Sequence, residues 1–214
     1  LSGPGFIIHS EMCAPYILDY GTEEQKQEWL PRMVSGEVIG AIGLTEPGAG
    51  SDLKNIRLRA DRDGDDYVLN GQKVYISNGQ NADLVMTATK TDLNAGARGV
   101  SLILVPASIP GFVRGRNLEK LGLKAQDTSE LFFQDVRVPV SARLGKEGGG
   151  FGMLMSKLAH ERMTQAVRSA MVCETTVAET LAYVKERKAF DKTISDFQNT
   201  QFVLAQLDAE TKAM

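Results

Sequence analysis

The chain has 214 residues, of which 43% are hydrophobic and 24% charged, and its formal net charge at pH 7 is −3. This composition is typical of a globular protein with one large or two small domains; it indicates no general affinity for nucleic acid, and no apolar stretch is long enough to span a bilayer. Two distant cysteines, Cys13 and Cys173, and only two histidines argue for a reducing compartment and against a disulfide framework or a zinc site.

The first segment, up to about Pro31, is helical in character. Thr22-Glu23-Glu24-Gln25 fits a capping box, which predicts a helix over residues 23–30. The chain begins without Met and stops at Met214 inside a helical pattern, so we expect it to be part of a longer protein.

From about Val38 to Pro139 the hydrophobic pattern changes to a period of two, with turn signals between short runs. The predicted strands cover residues 38–45, 56–61, 67–69, 73–76, 84–89, 101–105 and 130–136. Asn70-Gly71 between two of these runs predicts a tight hairpin. Short strands with no intervening helices favour an antiparallel barrel or sandwich.

The last third of the chain is predicted to be helical. Residues 145–152, GKEGGGFG, do not match the phosphate-loop patterns and indicate a flexible joint before a helix. A single long helix follows from Phe151 to about Arg187, because apolar residues recur at helical spacing without Pro. Ser195-Asp196-Phe197-Gln198 resembles a capping box, so a last helix is predicted from Asp196 onwards.

Two glycine-containing loops carry hydroxyl groups at predicted strand ends. The first loop is residues 45–52, TEPGAGSD, and the second loop is residues 75–79, YISNG. Glycine permits close approach of a ligand to the backbone, and Thr45, Ser51 and Ser77 both donate and accept hydrogen bonds. The pattern suits a flat ligand with a polar edge, such as a flavin ring, although a plain surface turn explains the first loop equally well.

These loops also carry a family resemblance. TEPGAGSD and NGQKVYISNG, followed by KLGLKAQDTSELFFQDVRVP, AHERM and ERKAFDKTISDFQ, resemble the acyl-CoA dehydrogenases, and most closely their long-chain branch. The resemblance implies an α+β fold with an antiparallel β-barrel middle domain flanked by α-helical segments. Residues 1–37 would end an N-terminal helical domain, 38–145 would form the barrel, and 146–214 would begin a C-terminal helical domain.

The resemblance further implies a function. The full-length protein would use FAD to oxidise a fatty acyl-CoA to trans-2-enoyl-CoA in β-oxidation and pass the electrons to an electron-transfer flavoprotein. It would be a homotetramer, a dimer of dimers, in the bacterial cytoplasm or the mitochondrial matrix. The chain alone would be inactive and would bind FAD weakly or not at all, without nucleic-acid or membrane-spanning roles.

The resemblance also assigns residues to the site, with Glu161 as the catalytic base and Ser77 near flavin N5. Substrate-binding residues would be Ser51, His160, Glu161 and Arg162. Cofactor-binding residues would be Leu44, Thr45, Gly50, Ser51, Tyr75, Ile76 and Ser77, with Arg187, Lys188, Ala189 and Gln198 reaching the pyrophosphate of FAD bound mainly by a neighbouring subunit. No residue is assigned to a metal.

Other interpretations of these residues stay open. Glu161 could pair on the surface with Lys157, Tyr75 could pack in the barrel core, and Arg187 could only terminate the long helix. A flavin oxidase or monooxygenase on the same scaffold, or a β-barrel binding module without flavin, are the rival functions. Acyl-chain length is not predicted, but the lower end of the acyl pocket is expected among residues 5–20.

Overall fold

The structure of the chain, a computed structural model, describes residues 5–214. The fold is α+β, as predicted, and the chain divides into one unit that ends at Leu158 and a second unit, Ala159–Met214. The three-domain division suggested by the resemblance stays a prediction.

Helices open the first unit. A π-helix, Ile8–Cys13, continues directly into α1, Ala14–Tyr20, and α2 covers Glu23–Val34. The predicted capping box is confirmed, because the Thr22 hydroxyl accepts from Gln25 N at 3.3 Å and the Gln25 side chain accepts from Thr22 N at 2.9 Å. The predicted end of α2 at residue 30 is wrong, since the helix continues through Pro31 with the loss of only the bond that the proline cannot donate.

The sheet of the first unit has eight strands in the order β6-β7-β3-β2-β4-β5-β8, with β1 paired to β4. The strands are β1 Gly40–Gly43, β2 Arg59–Asp63, β3 Asp66–Ser77, β4 Leu84–Lys90, β5 Val100–Pro106, β6 Phe112–Asn117, β7 Thr128–Pro139 and β8 Arg143–Leu144. The sequence prediction missed β6, because most residues of this strand, FVRGRN, are exposed and it lacks an apolar alternation.

The sheet is mixed, so the prediction of a purely antiparallel arrangement is wrong. β1 and β2 both run parallel to β4, because the chain passes through the β2–β3 pair before it returns as β4. Within residues 5–214, no strand pairing joins β6 to β8, and the predicted closed barrel is therefore not confirmed.

Two hydrophobic clusters cover opposite faces of the central strands. Met86 of β4 belongs to a cluster that includes Tyr16 and Met33 of the helices, whereas Val85 belongs to a cluster with Phe133 of β7. Every residue of β4 is consequently buried, which hides the alternation that a half-exposed strand would show. Both cysteines are free thiols.

The predicted hairpin at Asn70-Gly71 is wrong, because β3 continues through it as one strand of 12 residues. The register against β7 shifts between Leu69 and Gly71, and the Asn70 side chain exchanges hydrogen bonds with Asp135 across the sheet, at 2.9 and 3.0 Å. Asn-Gly therefore forms a β-bulge rather than a turn. The tight turn lies instead between β2 and β3, where Asp63 pairs with Asp66 around Gly64.

Substitution of Gly71 by Ala is expected to lower the free energy of unfolding by about 2 kcal/mol. Gly71 has a φ of 147°, and an added Cβ would lie 2.8 Å from Leu58 Cα. Gly64→Ala is the matched control, since Gly64 has a φ of 61° but nothing within 4 Å of the new Cβ, so its cost is only about 1 kcal/mol. Urea unfolding of both variants measures the difference, and equal losses would show that the bulge has no steric need for glycine.

The glycine-rich joint before the long helix is positioned by close contact with β5. Gly148 N donates to the Ser101 hydroxyl at 2.9 Å, and a Cβ on Gly150 would lie 2.9 Å from Ser101 C. These glycines thus allow the chain to approach β5 closely. The segment predicted as a flexible joint is held against this strand by the Gly148–Ser101 hydrogen bond.

The remaining helices agree in part with the sequence. The predicted long helix is confirmed as α3, Gly150–Glu186, and α4 covers Gln198–Ala213. A hairpin of β9, Lys188–Ala189, and β10, Lys192–Thr193, connects them. The predicted capping box at Ser195 is wrong, because Thr193 and Asp196 form it around a short 3₁₀ turn, and α4 starts two residues later than predicted.

Candidate functional site

The two candidate loops lie side by side at one end of β1 and β3. Val74 N donates to Thr45 O at 2.9 Å, which joins the start of the first loop to the strand that leads into the second. The first loop then turns at Pro47-Gly48, where Glu46 and Ala49 exchange two backbone hydrogen bonds. The structure therefore brings together the two segments that the sequence analysis paired only by their composition.

A second irregularity of β3 makes this junction possible. The register of β3 against β7 shifts between Lys73 and Ile76, so that Val74 is free of the β7 ladder and bonds to Thr45 instead. Tyr75 in the irregularity has a φ of 61°, which is an outlier for a bulky side chain, and it is 67% exposed. The interpretation that Tyr75 packs in the core is wrong.

Side chains of the predicted cofactor set divide into two groups. Ile76 is 2% exposed and lies in the second cluster, so only its backbone is available to a ligand. Leu44 is half-buried against the first cluster, whereas Gly50 and Ser51 are exposed.

The hydroxyls of Thr45, Ser51 and Ser77 fit a role in binding a polar ring edge. Thr45 and Ser77 are half-buried, and within the described part of the chain none of the three hydroxyls has a hydrogen-bond partner. A flavin ring requires polar edge contacts and an apolar wall, and the assignment of these hydroxyls and of Tyr75 to such a ring stays a prediction.

A buried ion pair lies directly behind this junction, and the sequence analysis did not identify it. Lys73 Nζ lies 2.7 Å from Glu46 Oε1, with side-chain exposures of 0% and 7%. Burial lowers the pKa of Lys73 to about 8, although the charge of Glu46 and its hydrogen bond act in the opposite direction. The signal was present in the sequence, since alternation from Leu69 places Lys73 on the inward face of the strand, where a lysine needs a carboxylate.

A cavity of about 700 Å³ adjoins the second loop. It lies between the first helices and the turn after β3, and its wall includes Phe6, His9, Met33 and Asn78. His9 Nδ1 accepts from Gly40 N at 2.9 Å, and its Nε2 lies 3.0 Å from Met33 O, to which it donates. The expectation that an acyl pocket ends among residues 5–20 stays a prediction.

The predicted base Glu161 and its predicted substrate-binding neighbours His160 and Arg162 lie on α3 in the second unit, whereas Ser51, the other predicted substrate residue, lies in the first loop of the first unit. Glu161 is half-buried, His160 and Arg162 are exposed, and neither His160 nor Glu161 lacks an interaction partner. Lys157, the surface partner considered for Glu161, forms an ion pair with Asp19.

The predicted pyrophosphate contacts cluster where α3 ends. Arg187 N donates to Tyr183 O at 2.9 Å and Arg187 O accepts from Ile194 N at 2.8 Å, so its backbone, not its side chain, closes the helix. Arg187, Lys188 and Gln198 are exposed, and Ala189 is half-buried in β9. The exposed cations are therefore accessible to an anionic group outside the chain.

Residues 5–214 contain no group of three or more His, Cys, Asp or Glu side chains suited to hold a metal ion. In the same range, no helix combines the length and the hydrophobicity that are needed to cross a bilayer.

Comparison with protein families gives matches in chain order along nearly the whole sequence. Residues 2–37 match the N-terminal domain model of acyl-CoA dehydrogenases, residues 41–136 the middle domain model, and residues 148–214 a C-terminal domain model.

Individual proteins show the same similarity. The mitochondrial long-chain specific acyl-CoA dehydrogenase of Mus musculus is 50% identical over 208 residues, which cover 96% of this chain and 48% of that protein. The short-chain specific acyl-CoA dehydrogenase of Clostridium acetobutylicum is 40% identical over 200 residues, 94% of this chain and 53% of that protein. The chain thus spans about half the length of the curated relatives it matches.

A solved structure agrees closely with the fold. The crystal structure of an acyl-CoA dehydrogenase from Geobacillus kaustophilus superposes with a TM-score of 0.93 at 53% identity, over 96% of this chain and 55% of that one.

Proposed function

This chain belongs to the acyl-CoA dehydrogenase family, and we propose that the full-length protein is an FAD-dependent enzyme that oxidises fatty acyl-CoA thioesters to trans-2-enoyl-CoA. The single observation that carries the proposal is the junction of the two loops. There, Thr45 is bonded to Val74, Tyr75 projects at a strained φ of 61°, and the hydroxyls of Thr45 and Ser77 have no partner within the described residues.

Two groups of residues would bind different parts of FAD. The Leu44–Thr45 segment, Gly50, Ser51 and Ser77 hold the polar edge of the flavin, while Tyr75 forms a wall beside the ring and Ile76 contributes its backbone. Arg187, Lys188, Ala189 and Gln198 bind the pyrophosphate of FAD held by a neighbouring subunit, since guanidinium groups suit bidentate phosphate contacts.

The reaction removes a proton from the α-carbon and a hydride from the β-carbon of the thioester. Glu161 accepts the proton from the α-carbon of the thioester as a general base, and Ser51, His160 and Arg162 position the substrate. When bound, FAD supplies the acceptor for the hydride that leaves the β-carbon.

The long-chain relative supports a fatty acyl substrate, although a short-chain relative matches the chain over a similar range. In this proposal the electron acceptor is an electron-transfer flavoprotein. The assembly is a dimer of dimers with shared FAD sites, and the location is a bacterial cytoplasm or a mitochondrial matrix.

The choice between a dehydrogenase and an oxidase or monooxygenase depends on how the reduced flavin is reoxidised. We expect full-length protein reduced by acyl-CoA to be reoxidised slowly by O₂ and rapidly by an electron-transfer flavoprotein. Rapid reoxidation by O₂ with release of hydrogen peroxide would assign an oxidase instead. A purified full-length protein that neither contains nor takes up flavin would indicate a binding module.

Replacement of Ser77 by Ala in the full-length protein is expected to weaken FAD binding by up to about tenfold, because one neutral hydrogen bond is worth roughly 0.5–1.5 kcal/mol. The visible spectrum of the bound flavin should shift as well. Titration of the apoprotein with FAD measures the affinity, and Ser108→Ala, an exposed serine outside both loops, is the control. An unchanged affinity and spectrum would show that Ser77 does not contact the ring.

A further inference from the structure

The Glu46–Lys73 ion pair connects three segments of the first unit behind the loop junction. Glu46 Oε1 accepts from Lys73 Nζ at 2.7 Å and from Leu58 N at 3.0 Å, and Oε2 accepts from Arg57 N at 2.6 Å. Lys73 Nζ also donates to Leu44 O at 3.0 Å. The carboxylate thus accepts three hydrogen bonds, and the ammonium group donates two.

This network holds the Leu44–Thr45 segment by both of its carbonyl groups. Lys73 binds the carbonyl of Leu44, and the next residue of the same strand, Val74, binds the carbonyl of Thr45. Two consecutive residues of β3 therefore fix two consecutive residues of the segment, so its backbone has a single register against β3.

A buried ion pair contributes little to the stability of the folded protein. Removal of two charges from water costs several kcal/mol per ion, and well-packed apolar residues of similar size are often equally stable or more so. A requirement for a particular backbone geometry is a reason to place charged groups here, and the backbone that they hold is the segment assigned to the flavin edge.

We propose that Glu46 and Lys73 are positioning residues that hold the Leu44–Thr45 segment in the geometry that binds FAD. The inference rests on the proposed function, and it adds two residues that do not themselves touch the cofactor. The proposal predicts different effects on the stability of the protein and on its affinity for FAD. Without the pair the protein still folds, but its flavin-edge segment is no longer fixed.

The test uses two variants of the full-length protein. Lys73→Met leaves a buried carboxylate without its cation, so it loses both stability and FAD affinity. The double variant Glu46→Gln/Lys73→Met carries no charge at these two positions, and the amide oxygen accepts from one of the two backbone N–H groups, Arg57 N or Leu58 N, that the carboxylate binds. We expect the double variant to recover part of the stability that Lys73→Met loses, while its affinity for FAD stays at least about tenfold below that of the parent.

Lys90→Met is the matched control. Lys90 is also a buried lysine of the same sheet, 4% exposed, and its charge is likewise attracted by Glu46, but its Nζ donates to Gly96 O and not to the Leu44–Thr45 segment. This variant should lose stability and keep the FAD affinity of the parent.

Chemical denaturation of the apoproteins and FAD titration give the two readouts independently of activity. If FAD affinity recovers together with stability in the double variant, the pair is a stability element and the inference is wrong. If the double variant does not fold, Glu46→Gln alone decides, because it keeps size and one acceptor: an FAD affinity equal to that of the parent would also overturn the inference. A parent apoprotein that binds no FAD would contradict the proposed function itself.

Discussion

Full-length protein with Glu161 replaced by Gln is expected to be reduced by acyl-CoA about 10²–10⁴ times more slowly than the parent. Glutamine has nearly the size and helix propensity of glutamate, but it cannot accept the α-proton, so about 3–5 kcal/mol is added to the barrier. FAD binding should be unchanged, because Glu161 is not among the flavin-edge residues. Acyl-CoA binding should be kept as well. The measurement is anaerobic stopped-flow mixing with acyl-CoA, followed by the loss of flavin absorbance.

Glu174→Gln provides a matched control on the same helix, since Glu174 is an exposed residue of α3. It should be reduced at the parent rate. If Glu161→Gln is also reduced within a few-fold of that rate, Glu161 is not the base. The base would then lie in another part of the full-length protein, and the long-chain assignment would be wrong while the dehydrogenase assignment stood.

Substitution of Arg187 by Gln is expected to weaken FAD binding by about 100-fold, or roughly 3 kcal/mol, because a guanidinium group makes charge-assisted bidentate bonds to phosphate. The backbone of Arg187 already closes α3, through bonds to Tyr183 and Ile194, so the side chain can be removed without loss of the helix end. Titration of the full-length apoprotein with FAD measures the change.

Lys185→Gln is the control for Arg187, since Lys185 is an exposed cation in the last turn of the same helix. It should retain the parent affinity at physiological ionic strength. Equal, small losses in the two variants would show that only the general positive charge of the helix end matters, and that Arg187 makes no specific contact with pyrophosphate.

The long-range pairing of the strands could not be predicted from local patterns. Capping at Thr22 and the helical spacing after Phe151 are local signals, and both are confirmed. Asn70-Gly71 is also a strong local signal, but its outcome depends on Asp135 across the sheet, which satisfies the Asn70 side chain in a bulge. The parallel pairing of β1 with β4 depends on a crossover of about 40 residues, which no short window contains.

The parts of the candidate site that contain glycine and hydroxyl residues could be predicted from the sequence. The parts that depend on tertiary contacts could not. The two loops were identified from sequence, and their contact through Thr45 and Val74 follows from an irregularity in β3 that no motif signals. The partner of Lys73 was likewise invisible, because Glu46 precedes it by 27 positions. The exposure of Tyr75 required its positive φ, which sequence patterns do not predict for tyrosine.

The central claim is that the full-length protein contains FAD and reduces it with an acyl-CoA. The most direct measurement is anaerobic titration of the purified full-length protein with saturated acyl-CoA thioesters of different chain length, followed at about 450 nm, where oxidised flavins absorb. We predict that at least one fatty acyl-CoA bleaches the flavin stoichiometrically and is converted to trans-2-enoyl-CoA. A flavin that no acyl-CoA bleaches, or a protein without flavin even after addition of FAD, would contradict the account.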